Sequence, residues 1–167
     1  MTLRPIEERD RALIENLFNL YRNDLSAYCD DFTSLDASGY FDYGIASELL
    51  PFGGGVESFI IEENSRPAGI AVVTDARYAL DGCQWRFQEL YLIRPARGRA
   101  LARNAARALL AAHPGRWCLS VYRKNLPARR FWDALVRSCG TPVYTAPGED
   151  GMVDTVFDTR ADIAEIP

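Results

Sequence analysis

The sequence predicts an α/β domain, a mixed β-sheet with helices on both of its faces. Apolar, β-branched runs alternate with stretches of helical periodicity in the order β, α, β, β, β, α, β, α, β, β. Residues 84–123 read as strand, helix, strand, which allows a right-handed crossover within the sheet. The 167 residues, 48% of them hydrophobic, suit one domain spanning 1–167 with a sizeable core; two domains would each be too small without staples.

The first element, "TLRPI" at 2–6, reads as a short edge strand. From Glu7 to about Tyr28, Leu13, Ile14, Leu17, Phe18, Leu20 and Tyr21 recur at helical spacing. Residues 29–55 are irregular and rich in breakers, and a short helix near 45–50 or a functional loop is expected there. "VESFIIEEN" and "RPAGIAVVTDA" form a predicted hairpin about a polar turn at Asn64 and Ser65. "QWRFQELYLI" (84–93) is a third strand, and "RGRALARNAARALLAAH" a helix stopped by Pro114 and Gly115. "RWCLSVYR" (116–123) returns as a strand, and "LPARRFWDALVRS" is a helix with Pro127 in its first turn. "TPVYTA" and "MVDTVFDTR" close the chain as an antiparallel pair.

A net charge of −4 and a pI near 5.1 argue against a nucleic-acid partner. No apolar run approaches the roughly 20 residues that cross a bilayer, so no membrane partner is expected. "MTLRPIEERDRALIENL" lacks the apolar centre of a secretory signal, and a cytoplasmic location follows as the expectation. Cys29, Cys83, Cys118 and Cys139 are scattered and His113 is the only histidine, so no metal site is expected. His113 stands where a helix stops, which fits a C-cap better than catalysis. The cysteines read as buried, reduced thiols.

The stretch "RPARGRALARNAARALLAAHPG" carries the functional question. Leu101, Ala102, Ala105, Ala106, Leu109 and Leu110 make a buried helical face. Arg103 and Arg107 read as a solvated stripe. Arg97 and Arg99 differ, because they bracket Gly98 where strand gives way to helix. There free backbone N–H groups and the positive end of the helix dipole can receive an anion, with arginine heads adding charge-assisted contacts.

"ELYLIRPARGRALARNAARALL", a following strand and "YRKNLPARRFWDAL" together resemble the GNAT N-acetyltransferase superfamily. The specific motifs lie within 84–138, and the topology matches over nearly the whole chain. The resemblance implies a mixed, mostly antiparallel sheet of six to seven strands and an Arg/Gln-x-x-Gly-x-Gly/Ala turn about the pyrophosphate of acetyl-CoA, the implied cosubstrate. The matching residues are Arg97, Gly98, Arg99, Ala100, Leu101 and Ala102. Ala100 departs from the pattern, standing at its central glycine. If that position is already helical, alanine is compatible and favours the helix by about 1 kcal/mol, and CoA binding is expected to persist, weakened at most. The family's splayed strands imply that Leu92 or Ile93 offers the N–H facing the thioester oxygen. Asn125, with Pro127, Ala128 and Phe131, resembles the family's Asn-x-x-Ala segment, implying contact with CoA near its pantetheine, helix capping, or both.

Acetyl transfer needs an unprotonated amine, a stabilised oxyanion and a proton for the leaving thiolate. Glu89 interrupts an apolar strand, so it faces solvent or a cavity. It is either a sheet-surface carboxylate near Arg86 or, as the resemblance implies, a general base acting through water. Alternation sets it on one face with Tyr91 and Ile93, opposite Leu90 and Leu92. Where the family often has a proton-donating tyrosine the chain has Trp132, a poor donor best read as core packing. Tyr122 or Tyr91 substituting, water protonating the thiolate, and CoA binding without catalysis all stay open.

The resemblance places specificity in the first helix, the loop after it and the final hairpin. Tyr21, Tyr28, Phe32, Tyr40, Phe41 and Tyr43 stand there among Asp24, Asp30, Asp31, Asp36 and Asp42. Such a lining would suit a cationic amine, and an ordinary solvated loop explains the same residues. The implied activity is acetyl transfer from acetyl-CoA to a primary amine, with a non-catalytic acyl-CoA-binding module as the alternative. Monomer and homodimer are both compatible with the sequence.

Overall fold

The computed structural model describes residues 1–41 and 54–160. The helix expected near 45–50, with Asp42 and Tyr43, lies outside the described residues. Seven strands form one sheet: β1 (Thr2–Pro5), β2 (Val56–Glu63), β3 (Arg66–Asp75), β4 (Trp85–Leu92), β5 (Arg116–Tyr122), β6 (Gly140–Pro147) and β7 (Met152–Thr159). Their order is β1-β2-β3-β4-β5-β7-β6, with β4 and β5 parallel and every other pair antiparallel. Three helices accompany them: α1 (Arg11–Leu25), α2 (Leu101–Ala112) and α3 (Leu126–Cys139).

Helices cover both faces. Ile14, Leu17 and Phe18 of α1 pack on Val56, Ile60, Ile70, Val72 and Tyr91. Leu109 and Leu110 of α2, with Leu135 and Val136 of α3, pack on the opposite face against Ala71, Val73, Phe87, Trp117 and Phe157. The alternation of Ile70 and Val72 with Ala71 and Val73 makes β3 a strand buried on both faces, where each side chain meets apolar neighbours.

The boundaries differ from expectation in instructive places. The first helix starts at Arg11, after a single 3-10 turn at Glu8–Asp10, because Asp10 accepts the Glu7 N–H at 2.9 Å and closes a capping box. Asp10 is buried and takes a fork from Arg4 at 2.8 and 3.0 Å, which holds its carboxyl down at about 2. Leu20, counted in the apolar face of that helix, is exposed. The β2–β3 turn holds both Asn64 and Ser65 at positive φ, 51° and 59°, the pair a twisted two-residue hairpin requires. His113 is the C-cap of α2, its carbonyl accepting from Trp117 Nε1 at 2.8 Å. All four cysteines are free; Cys83, Cys118 and Cys139 are buried and Cys29 is half-buried.

Two irregularities position the site. Val72 pairs with Glu89 and Val73 with Phe87, so Gln88 is an extra residue, a bulge that reverses the facing of β4. Phe87 therefore joins the core under α2 and α3, while Glu89 and Tyr91 turn to the α1 face. The second is where β4 and β5 part. Their pairing covers only Trp85↔Trp117, Arg86↔Cys118 and Phe87↔Leu119, and past Phe87 the two strands diverge.

Candidate active site

The gap opens into a cleft of about 960 Å³. It is walled by Tyr21, Asp24, Leu25 and Tyr28 of α1 and the residues just past it, by the end of β4, by Arg97, Gly98 and residues 100–103, and by Asn125, Phe131 and Trp132 at the start of α3. These segments lie far apart in sequence, and the bulge, the divergence of β4 from β5 and the turn into α2 bring them together.

Leu90 and Leu92 line the cleft, and the backbone explains which peptide groups face it. Ile93 N–H donates to the Ala68 carbonyl at 2.9 Å, so Ile93 is committed to β3. In an antiparallel ladder successive residues face opposite neighbours, so Leu92 turns its N–H away from β3. The Leu92 carbonyl, on the same side, accepts Arg97 Nε at 2.9 Å. Of the two donors expected from the sequence, Leu92 faces the gap and Ile93 does not.

The turn into α2 also corrects an expectation. Ala100 is outside the helix: it is the N-cap residue, at φ 59° and ψ 1°, in the left-handed region. Gly98 is likewise at φ 79°. Glycine enters that region freely, whereas an alanine there costs roughly 1 kcal/mol, so Ala100 strains the turn instead of favouring the helix. The first helical hydrogen bond runs from Asn104 N–H to the Ala100 carbonyl, and no side chain caps the end. The N–H groups before Asn104 thus stand at the positive end of the helix, where Gly98, Ala100, Leu101, Ala102 and Arg103 line the cleft.

The arginines divide differently from their spacing. Arg97 lines the cleft, lies 5.5 Å over the Tyr91 ring and forms an ion pair with Asp24. Arg94 joins the same carboxylate at 2.7 Å. Arg99 instead turns to Glu63 of β2 at 2.7 Å and to the Pro95 carbonyl at 3.0 Å, and is absent from the cleft wall. Arg103, read from the sequence as part of a solvated stripe, lines the cleft.

Asn125 lines the cleft, and its Oδ1 caps α3 by accepting Ala128 N–H at 3.2 Å. Trp132 is both packing and wall: its ring lies 4.9 Å from Phe87 and 5.1 Å from Phe131 while it faces the cavity. No hydroxyl stands at that place.

Glu89 is half-buried on the α1 face, beside the cleft. Desolvation lifts its carboxyl to about 7, opposed by the Tyr21 hydroxyl and by the charges of Arg86 and Arg22. Tyr21 stacks on Tyr91 at 5.0 Å and lines the cleft. Tyr122 is not a cleft residue. It donates to Asp31 Oδ2 at 2.7 Å, and burial with that carboxylate raises its phenol far above the ordinary range. Tyr91, the other tyrosine weighed as a donor, faces Asp24 and Arg97.

The acidic, aromatic segment is mostly occupied by its own contacts. Asp24 is paired with Arg94 and Arg97, Asp31 accepts Tyr122, and Asp36 accepts the Ser38 and Tyr40 N–H groups at 2.8 and 3.0 Å. Phe32 is buried against Phe41, 6.2 Å away, and the Tyr40 hydroxyl reaches Asn16 at 3.2 Å. These contacts weaken the reading of the segment as a lining for a cation.

No protein-family model matches the sequence, and no curated protein matches it. Solved structures do share the fold. An acetyltransferase from Thermus thermophilus is similar with a TM-score of 0.68 and 19% identity over 93% of this chain and 94% of that one. The aminoglycoside acetyltransferase AAC(6')-Ib, solved with ribostamycin and coenzyme A, gives 0.68 and 19% over 98% and 95%. A GNAT-family acetyltransferase from Streptococcus agalactiae gives 0.70 and 15% over 95% of each chain. The chain has the GNAT fold.

Proposed function

We propose that this protein is an N-acetyltransferase that moves an acetyl group from acetyl-CoA to a primary amine within a ternary complex. The observation that carries the reading is the divergence of β4 from β5 after Phe87, which opens a cleft leading to the uncapped N-terminus of α2. The fold adds support, since AAC(6')-Ib of the same fold was solved with coenzyme A and an aminoglycoside.

The residues present fit acetyl-CoA. The N–H groups of residues 98–103, with the side chains of Arg97 and Arg103, suit a pyrophosphate. The outward peptide groups of Leu90 and Leu92 suit the amides of a pantetheine arm, with Leu92 N–H toward the thioester oxygen and Asn125 beside the arm. Bound acetyl-CoA would supply the activated acyl group and the thiol leaving group. Glu89 takes the amine proton, directly or through one water; a carboxylate near 7 is matched to that task at neutral pH.

The test is thiol release from acetyl-CoA on incubation with separate sets of amines: aminoglycosides, polyamines, and peptides with a free N-terminus or lysine. One set should accelerate release well above the rate with water alone. Trp132 in place of a hydroxyl favours a second reading, an acyl-CoA-binding module without turnover. Stabilisation by acetyl-CoA with no release for any amine would select it.

A further inference from the structure

We infer that the amine acceptor carries its own carboxylate, as a free amino acid does, and that Arg86 of β4 receives that carboxylate. The inference rests on the acetyltransferase reading and adds to it the class of acceptor. It comes from the sheet face beyond the cleft wall.

On that face α1 packs over β2, β3 and Tyr91 of β4. Past the helix, Arg86, Glu89, Ser120, Tyr122 and Asp154 are half-buried on the same face. Their facing follows by alternation from Phe87, Trp117, Leu119 and Phe157, which point into the core under α2 and α3, and from the bulge at Gln88. Arg4, Arg94, Arg97, Arg99 and Arg116 each hold a carboxylate. Arg86 holds none among the described residues. Its hydrogen bond runs from Nη2 to Ser120 Oγ at 3.1 Å, and that hydroxyl donates in turn to Asp154 Oδ1 at 2.6 Å. Arg86 Nε is buried without an acceptor, and the hydroxyl of Thr74, the residue opposite on β3, is buried without a partner. Such atoms are rare in a protein interior, and two of them on one face of one cross-strand pair mark a missing polar partner.

The head of Arg86 lies toward the proposed base. In the ladder Arg86 stands opposite Cys118, yet its Nη2 reaches Ser120, two residues further along β5. The side chain therefore leans along β4 in the direction of Glu89, to where the two strands part, and its charge is felt at the Glu89 carboxyl. An amine that hands its proton to Glu89 thus has a guanidinium nearby. A carboxylate borne on the carbon next to that nitrogen forms a charge-assisted pair with Arg86, while Ser120 fixes the tilt of the guanidinium fork.

The test compares free amino acids with their α-amides by thiol release from acetyl-CoA. For the best acceptor, kcat/KM should be at least about 100-fold higher for the acid than for its amide, since a site built around a polar group rejects the analogue that lacks it. Arg86→Gln should abolish that preference, mainly by raising KM for the acid, while keeping the thermal shift with acetyl-CoA. Ser120→Ala leaves the charge and frees the fork, so it should raise KM for the acid by less; it serves as the second variant if Arg86→Gln does not fold. An active wild type that does not distinguish acid from amide overturns the inference, and so does a folded Arg86→Gln variant that keeps the preference. A wild type that binds acetyl-CoA yet releases thiol with no amine, the amino acids included, overturns the acetyltransferase reading, and this inference with it.

Discussion

Asp24, in the last turn of α1, forms an ion pair with Arg97 at the head of the turn into α2. The same carboxylate holds Arg94, and the two arginines keep it below the ordinary aspartate range despite partial burial. The free protein thus neutralises charge that the proposed pyrophosphate contact would need.

Three substitutions separate the charges. Arg97→Ala should weaken CoA binding by about 10- to 100-fold, the loss of a charge-assisted contact. Arg99→Ala should change it little, because Arg99 is turned to Glu63 in an exposed pair worth at most about 1 kcal/mol. Asp24→Asn should tighten binding, since the competing carboxylate is gone. Calorimetric titration with CoA measures all three, and weaker binding by Asp24→Asn would mean that Asp24 orients Arg97 instead of competing for it.

Ala100→Gly should stabilise the protein. The left-handed φ at that position costs an alanine roughly 1 kcal/mol, so relief should raise the melting temperature by about 2–4 °C for a chain of this size. An unchanged or lower melting temperature would show that the turn relaxes in solution to a conformation alanine prefers.

Glu89 sets two opposite pH dependences. Its folded carboxyl is raised to about 7 from an ordinary 4.5, so the folded state binds the extra proton between those values. Stability contributed by this group is present below about 4.5 and lost as pH rises through about 7. Activity should run the other way, kcat/KM rising through about 7 as the base ionises. Glu89→Gln should flatten the stability slope and remove most of the rate; a wild-type rate that does not change between pH 6 and 8 would contradict the base assignment.

How much of this was legible in the sequence depends on the range of the interaction. The seven strands, the three helices and the Asn64–Ser65 turn follow from local pattern and turn chemistry, and all appear within a few residues of expectation. The bulge at Gln88 is invisible to alternation, which would have put Phe87 on the Glu89 face. Ala100 misled because a helical φ is the default for alanine, and only the docking of the turn forces it left-handed. Asp24 and Arg97 are separated in sequence by β2, β3 and β4, so their pairing had no local signal. Tyr21, Asp24 and Tyr28 do recur at helical spacing, a stripe that marks one wall of the cleft once β4 is in place.

Asp10→Asn should cost about 1–3 kcal/mol, because it breaks a charged fork to Arg4 at a buried carboxyl. The group's folded carboxyl lies near 2, below the ordinary 3.8, so its stabilisation is present above that range and is lost as pH falls toward 2. Urea titrations should find the two proteins far apart at neutral pH and converging in acid. A constant difference at all pH values would assign the loss to packing.

The most direct test of the whole account is thermal unfolding with and without acetyl-CoA, for the wild type and Arg97→Glu. At about 100 times its dissociation constant the ligand should stabilise the wild type by about 2.7 kcal/mol, and the variant should lose most of that shift. No shift in the wild type at millimolar acetyl-CoA would contradict the cleft as a CoA site, and an equal shift in both proteins would put the pyrophosphate somewhere other than the turn into α2.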